Sequence, residues 1–311
     1  MSIFSYSPID RQSEIRADTS LIRDYLQSDK SRIMLWFEGN LITRENNFYF
    51  LFEELQQPEK QLVDVIYLGH REGCYYFSSQ LNQQYAQFDC FKLLNLRSAS
   101  LTVNDYHLGL LYYSQGLLNW HLNHQYCGSC GSDTRAIHSG HVRQCNNSDC
   151  NQEHYPSINP AVIFMIINKT QVEPKILLAR QSSWDDCRYS VIAGFVESGE
   201  TLEDAVKREA YEETGLSVDN IHYADSQPWP FPGSIMVGFN CETSQQDITL
   251  IDQELEKASW FSADEIESKC KSGDLKMPFT ASIAWHLIDR WFIQQKGYSL
   301  SLNYTWCDES S

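Results

Sequence analysis

Residues 194–216 read GFVESGETLEDAVKREAYEETGL. Gly194 and Gly199 permit a tight loop. Thr201 with Asp204 has the form of a capping box, with Asp in place of the usual Glu or Gln. The helix that starts there carries Leu202, Ala205, Val206 and Ala210 on one side, the side that packs on a sheet. Glu209, Glu212 and Glu213 fall at i, i+3 and i+4, one turn apart on a common face. Each like-charged pair costs a helix a few tenths of a kcal/mol, and negative charge at a helix C-terminus opposes the macrodipole. A solvated acidic face explains one or two such residues. The whole arrangement makes most sense with a divalent cation, and oxygen-only ligands favour Mg²⁺ or Mn²⁺ over zinc. Gly215 ends the helix in the position expected of a left-handed C-terminal residue.

Upstream, Cys127-Gly128-Ser129-Cys130 is followed after fourteen residues by Cys145-Asn146-Asn147-Ser148-Asp149-Cys150. Two short cysteine pairs on turns suit tetrahedral thiolate ligation of zinc; unpaired thiols or two disulfides are the alternatives. Four thiolates leave no open coordination position, so such a zinc is structural rather than catalytic. His138 and His141, inside the same ribbon, read as surface turn histidines rather than ligands. Cys74, Cys90, Cys187, Cys241, Cys270 and Cys307 show no pairing pattern.

Downstream, residues 226–234 read SQPWPFPGS, three prolines alternating with Trp229 and Phe231. Proline stiffens the loop and removes donors. The two rings can offer flat faces to a planar base; a turn that buries its aromatics in the core is the plain alternative.

The remainder sets bounds. A chain of 311 residues, 42% apolar and 13% aromatic, can build a real core and is long enough for two or three domains. With 24 Lys and Arg against 41 Asp and Glu the net charge is −17, which argues against general coating of nucleic acid but not against a phosphate substrate held through metal. The longest apolar run, Ala161–Ile167, is too short for a bilayer span of about 20 residues. The first residues do not read as a secretory signal. A cytoplasmic location with reduced thiols, and no membrane partner, is the expectation.

Ile33–Phe37, Phe48–Phe52, Leu62–Leu68 and Cys74–Phe77 read as strands, and Asn104 can cap a helix through about Asn119 or slightly beyond, although Gly109 and Gly116 weaken its interior. No catalytic motif appears in this part, which reads as a packed α/β scaffold or dimer-forming domain. Ala161–Ile167, Lys175–Ala179 and Ser234–Phe239 read as strands, and Leu202–Glu213 and Ile283–Phe292 as helices. The alternation makes α/β or α+β the class. The boundaries drawn are 1–120, 121–156 for the ribbon and 157–300.

The 194–216 segment resembles the Nudix box, G-x5-E-x7-R-E-U-x-E-E-x-G-U, with Gly194, Glu200, Arg208, Glu209, Glu212, Glu213, Gly215 and Leu216 in place and Ala210 at the first apolar position. The proline–aromatic array after the box, with a four-cysteine module before it, is similar to the NADH pyrophosphatase family. The likeness continues through Asn119-Trp120-His121, His154-Tyr155-Pro156, Glu254–Phe261 and Met277-Pro278. It implies an α+β chain: a Nudix α/β/α sandwich fold preceded by a small four-cysteine zinc ribbon and an N-terminal α/β domain. It implies hydrolysis of the pyrophosphate of NADH or NAD⁺ to nicotinamide mononucleotide and AMP, removal of NAD caps from RNA 5′ ends, and a homodimer. By position, Glu209 and Glu213 are the foremost Mg²⁺ or Mn²⁺ ligands, Glu212 shares the shell, Arg208 orients, and Glu200 supports the loop. Glu254 corresponds to a further glutamate at the metal cluster and is one candidate for general base. Phe195 and Trp229 are candidate base stackers, with Phe231, Ser234 and Gln227 near the nucleotide. Cys127, Cys130, Cys145 and Cys150 hold zinc. A ligand sensor that binds nucleic acid through the ribbon is the competing class. Such regulators usually lose box glutamates, and all are present here.

Overall fold

The computed structural model describes residues 9–44, 47–55, 57–85, 91–103, 105–170, 173–251 and 254–303. The chain divides into two bodies, Ile3–Ile158 with Trp229–Gly233, and Asn159–Pro228 with Ser234–Ser311.

The first body opens with α1 (Thr19–Gln27), whose N-cap Asp18 accepts from Leu21 N at 3.0 Å. β1 (Ser31–Phe37) and β2 (Asn40–Thr43) pair antiparallel. α2 (Pro58–Gln61) leads into β3 (Leu62–Arg71) and β4 (Cys74–Leu81), and β5 (Lys92–Leu94) precedes α3 (Leu96–Thr102) and α4 (Asp105–Asn123). The five strands form one sheet in the order β3-β4-β1-β2-β5. β1 is a near-continuous apolar run, as suits a strand covered on both faces. Ile33 and Leu35 join Ile22 of α1 in one core, while Met34 and Trp36 join Leu108, Leu111 and Leu118 of α4 in another. Burying a Leu or Ile side chain contributes roughly 1.5–3 kcal/mol. That outweighs the low helix propensity of Gly109 and Gly116, and α4 runs on to Asn123. The proposed cap, Asn104, lies outside the described residues.

Phe48–Phe52 does not form a strand. Phe50 makes a single bridge to Ile33, and Phe52–Glu54 curls into a 3-10 turn because the Glu54 carboxylate accepts from Leu51 N at 2.8 Å.

β6 (Thr134–Ile137), β7 (Val142–Cys145) and β8 (Glu153–His154) make an antiparallel ribbon in the same body. His138 is exposed, as expected of a turn residue. His141 is buried instead, and its Nε2 donates to Tyr67 O at 2.7 Å. The turn before it, with positive φ at His138, Ser139 and Gly140, carries it inward. His121 is buried too, with Nε2 on Gly140 O at 2.7 Å and Nδ1 on Arg143 Nη1 at 2.8 Å. Arginine can only donate, so Nδ1 accepts and the imidazole is neutral.

The second body contains β9 (Asn159–Asn168), β10 (Lys175–Arg180), β11 (Ile192–Phe195), α5 (Leu202–Thr214), β12 (Asp219–Trp229), β13 (Ser234–Thr243), β14 (Lys257–Phe261), α6 (Ala263–Ser272) and α7 (Ile283–Lys296). The sheet order is β12-β13-β9-β10-β14, with β11 also on β9. β13 runs parallel to β9 through ten successive pairs, from Ser234↔Asn159 to Thr243↔Asn168. Val162, Phe164 and Ile166 of β9 share a core with Ala205, Val206 and Ala210 of α5. Met165 and Ile167 face Leu287 and Trp291 of α7 instead. The sheet is therefore sandwiched between α5 and α7. β12 extends through Pro228 to Trp229, so the loop after it is shorter than the composition suggests. β12 is an edge strand, where a missing N–H is tolerated. Among the described residues no helix is long and apolar enough to cross a membrane.

Burial holds the His141 imidazole down at about 4, and lowers that of His121 as well. Below about pH 6.5 the unfolded chain takes up protons that the folded body refuses, so stability falls as pH drops from 6.5 toward 4. At pH 5 His141 alone should account for a loss of about 2 kcal/mol relative to neutral pH. His141→Gln, which cannot titrate, is expected to flatten the fall in melting temperature between pH 7 and pH 5; an unchanged slope would contradict the assignment.

Candidate active site

α5 begins where Thr201 Oγ1 accepts from Asp204 N at 3.1 Å. The Asp204 carboxylate does not return to the Thr201 backbone; it accepts from the Thr201 hydroxyl at 2.8 Å, so the cap is half of a capping box. The helix ends at Gly215 with φ +70°.

Arg208 organises the face between these ends. Its Nε donates to Glu200 Oε1 at 2.6 Å and its Nη2 to Glu200 Oε2 at 3.0 Å. Nη2 also donates to Phe195 O at 2.8 Å, and Nη1 donates to Glu209 Oε1 and Glu212 Oε2, each at 2.9 Å. Those bonds occupy all five N–H groups of a guanidinium. Glu200 in turn accepts from Glu197 N at 2.9 Å, which closes the loop between β11 and α5. Hydrogen bonds from Arg208 hold the Glu200 carboxyl down at about 2, and the same pairing raises the arginine.

Glu209 stands differently. Burial raises its pKa, Arg208 opposes that rise, and the charges of Glu212 and Glu254 add to it. Glu254 is thus within electrostatic reach of Glu209; it is exposed, and its Oε1 accepts from Gln181 Nε2 at 3.1 Å. Glu213 is only 3% exposed. Gly194 lies within β11 rather than in a turn, and a Cβ there would fall inside the Glu209 carboxylate. Five carboxylates against one guanidinium leave an excess of negative charge and only oxygen donors, which suits Mg²⁺ or Mn²⁺. Arg208 Nη1 draws Glu209 and Glu212 to one nitrogen. Among the described residues the four cysteines are the group whose ligand atoms all lie within 4.8 Å of one another.

The other predicted contacts fall into two places. In the second body Phe195 is 59% exposed, and Ser234 is buried at the start of β13. Gln227 is fully buried: its Nε2 donates to Ala281 O at 2.7 Å and its Oε1 accepts from Ile283 N at 2.8 Å, so its amide serves the start of α7. In the first body Trp229 and Phe231 meet edge to face at 5.2 Å. Arg97 lies over both rings, at 6.0 and 5.0 Å. Sequence reasoning missed the Gly194 cradle, the Gln181 bond and Arg97, each of which depends on contacts distant in sequence.

At the ribbon, Cys127 and Cys150 sulfurs are 3.8 Å apart and those of Cys130 and Cys145 are 3.4 Å apart. A tetrahedron with Zn–S of about 2.3 Å has edges of about 3.8 Å, whereas a disulfide needs about 2.05 Å. All four cysteines are free, so the disulfide alternative falls and the quartet fits a structural zinc. Gly131, with φ +76°, turns the first knuckle, and Ser132 hydrogen bonds pull the Cys130 thiol down to about 6. His154 Nε2 lies 3.2 Å from the Cys127 sulfur, outside the quartet.

Family models match the chain in three places. The NUDIX domain matches residues 158–279, the NADH pyrophosphatase zinc ribbon domain 122–155, and the NADH pyrophosphatase-like rudimentary NUDIX domain 30–120. The chain is 32% identical over 264 residues to the NAD-capped RNA hydrolase NudC of Mycobacterium bovis, covering 81% of this chain and 83% of that one. It is 29% identical over 279 residues to the human NAD-capped RNA hydrolase NUDT12, covering 87% and 59%. It is 40% identical over 159 residues to the chloroplastic Nudix hydrolase 19 of Arabidopsis thaliana, covering 50% and 36%. The chain therefore spans less than two thirds of the latter two.

Gly194→Ala should displace the Glu209 carboxylate without touching the sulfur site. Mn²⁺ affinity measured by titration calorimetry is expected to fall about tenfold or more, with zinc content unchanged; equal Mn²⁺ affinity would rule out the cradle. Cys145→Ser should lose zinc by metal analysis and lower the melting temperature of the first body.

Proposed function

The chain belongs to the Nudix hydrolases of the NADH pyrophosphatase type, and from that membership we propose that it hydrolyses the pyrophosphate bond of NADH or NAD⁺ to give nicotinamide mononucleotide and AMP. The observation that carries the reading is the Arg208-centred array of Glu200, Glu209 and Glu212, with Glu254 in electrostatic reach of Glu209. Glu209 and Glu213 are the proposed principal ligands of Mg²⁺ or Mn²⁺, with Glu212 and Glu254 completing the shell. Bound there, the cation neutralises pyrophosphate charge and acidifies water. Arg208 fixes the two helix carboxylates, and Glu200 fixes Arg208. Glu254, exposed and hydrogen-bonded by Gln181, is the proposed acceptor of the proton of the attacking water. Water oxygen bonds to phosphorus, the bridging P–O bond breaks, and one proton is released. Phe195 and Trp229 are the proposed stacking faces for a base or nicotinamide, with Phe231 packed against Trp229 and Ser234 beside the nucleotide.

An NAD cap on RNA presents the same bond, and the relatives named NAD-capped RNA hydrolases favour cap removal as a second activity. The homodimer belongs to this reading, as does a cytoplasmic location, where the described cysteines remain free thiols or zinc ligands.

Protein with Mn²⁺ and NADH should release AMP and reduced nicotinamide mononucleotide, identified by mass spectrometry. Glu213→Gln should lower kcat/KM by about a hundredfold or more, the scale of losing a transition-state charge stabiliser. Unchanged turnover in that variant would remove Glu213 from the site. Equal or poorer kcat/KM on capped RNA than on NADH would leave the free dinucleotide as the main substrate.

A further inference from the structure

The segment Trp229–Gly233 has an unusual hydrogen-bonding problem. Pro228, Pro230 and Pro232 have no N–H, so the segment has few donors of its own. One of them, Phe231 N, is taken by Trp229 O at 2.8 Å. The carbonyls on either side of Phe231 both turn to one outside group: Asn119 Nδ2 donates to Pro230 O and to Pro232 O, each at 2.9 Å. Two acceptors settle the orientation of the amide, because only the nitrogen end can donate. A single side chain thus staples the loop at two points two residues apart.

The surroundings fit that use. Asn119 lies on α4 one turn beyond Gly116, and even a Cβ at Gly116 would come to 3.9 Å of the Pro230 ring. The helix surface is low where the loop crosses it. Phe231 packs against the α4 core, and Trp229 packs edge-on against Phe231. Arg97 of α3, itself exposed, lies over both rings. The attitude of the Trp229 ring is therefore set through Phe231 and the two stapled carbonyls.

We propose that Asn119 is a positioning residue for dinucleotide binding, holding the Trp229–Gly233 loop so that the Trp229 ring is already oriented for a planar base. The inference rests on the stacking role given to Trp229 above. Aromatic contacts depend on geometry, and a loop that must be ordered at each binding event weakens affinity. Asn119 touches no reacting atom, so its loss should act on KM and leave the chemical step nearly alone.

The test uses the full-length, zinc-loaded protein with Mn²⁺ and NADH. Asn119→Asp, which sets a carboxylate against two carbonyls, and Asn119→Ala should each raise KM about tenfold or more, with kcat within about threefold of the parent. Arg97→Met, at an exposed position that folding tolerates, should raise KM in the same direction. Trp229→Ala should raise KM similarly, and adding Asn119→Ala to it should cost little more, because the two act through one contact. Melting temperature and zinc content follow folding in each variant. If the parent turns over NADH while the Asn119 and Arg97 variants keep its KM, or if the Asn119 and Trp229 losses simply add, the positioning role is wrong. If the parent leaves NADH intact, the underlying functional reading fails and this role falls with it.

Discussion

A guanidinium with no free N–H is what the proposed catalytic face is built around. Glu200, Glu209, Glu212 and the Phe195 carbonyl all close on Arg208. Without it, the helix would present carboxylates one turn apart, each repelling the next. With it, the loop from β11 to α5, the helix register and two proposed ligands share one reference point. Part of the cluster faces water, so solvent screens its contribution to stability. Its value lies in geometry. Fork-shaped donors fix carboxylates in direction as well as distance, which a lysine in the same place could not do.

The two bodies share a plan: a sheet with a strand buried on both faces, and helices on either side. The second carries the Arg208–carboxylate array on α5. In the first, α1, α3 and α4 hold two acidic residues between them, Asp24 and Asp105, and are otherwise filled with Leu, Tyr, Ser and Asn. The match of residues 30–120 to a rudimentary NUDIX domain thus has a physical counterpart, a layered scaffold without the charge array. What the first body offers instead is rigidity, through Arg143 and His121 under the ribbon and Asn119 over the proline-rich loop.

Much of this is legible in the sequence alone. The box could be read because its meaning is local: helix period, cap, C-terminal glycine and three glutamates all lie within one short segment. The cysteine quartet was legible for the same reason. Readings failed where a contact from outside the segment decided the outcome. Phe48–Phe52 looked like a strand until the Glu54 cap turned it. His141 looked like a surface residue until three positive φ angles swung it beneath Tyr67 O. Gln227 looked like a substrate contact because it sits in the motif, yet its amide serves the α7 terminus. In each case the sequence shows the residue type correctly while a contact from outside the segment decides its surroundings.

The space missing at Gly194 and the carboxylate present at Glu209 are one volume, shared between a strand and a helix. The two positions therefore form a single unit of inheritance. A lineage that gives up the acid releases the glycine from constraint, whereas one that keeps the acid cannot enlarge the glycine. Among descendants of this scaffold, a side chain at the strand position would report that the helix carboxylate has left its place, even where the rest of the box still looks complete.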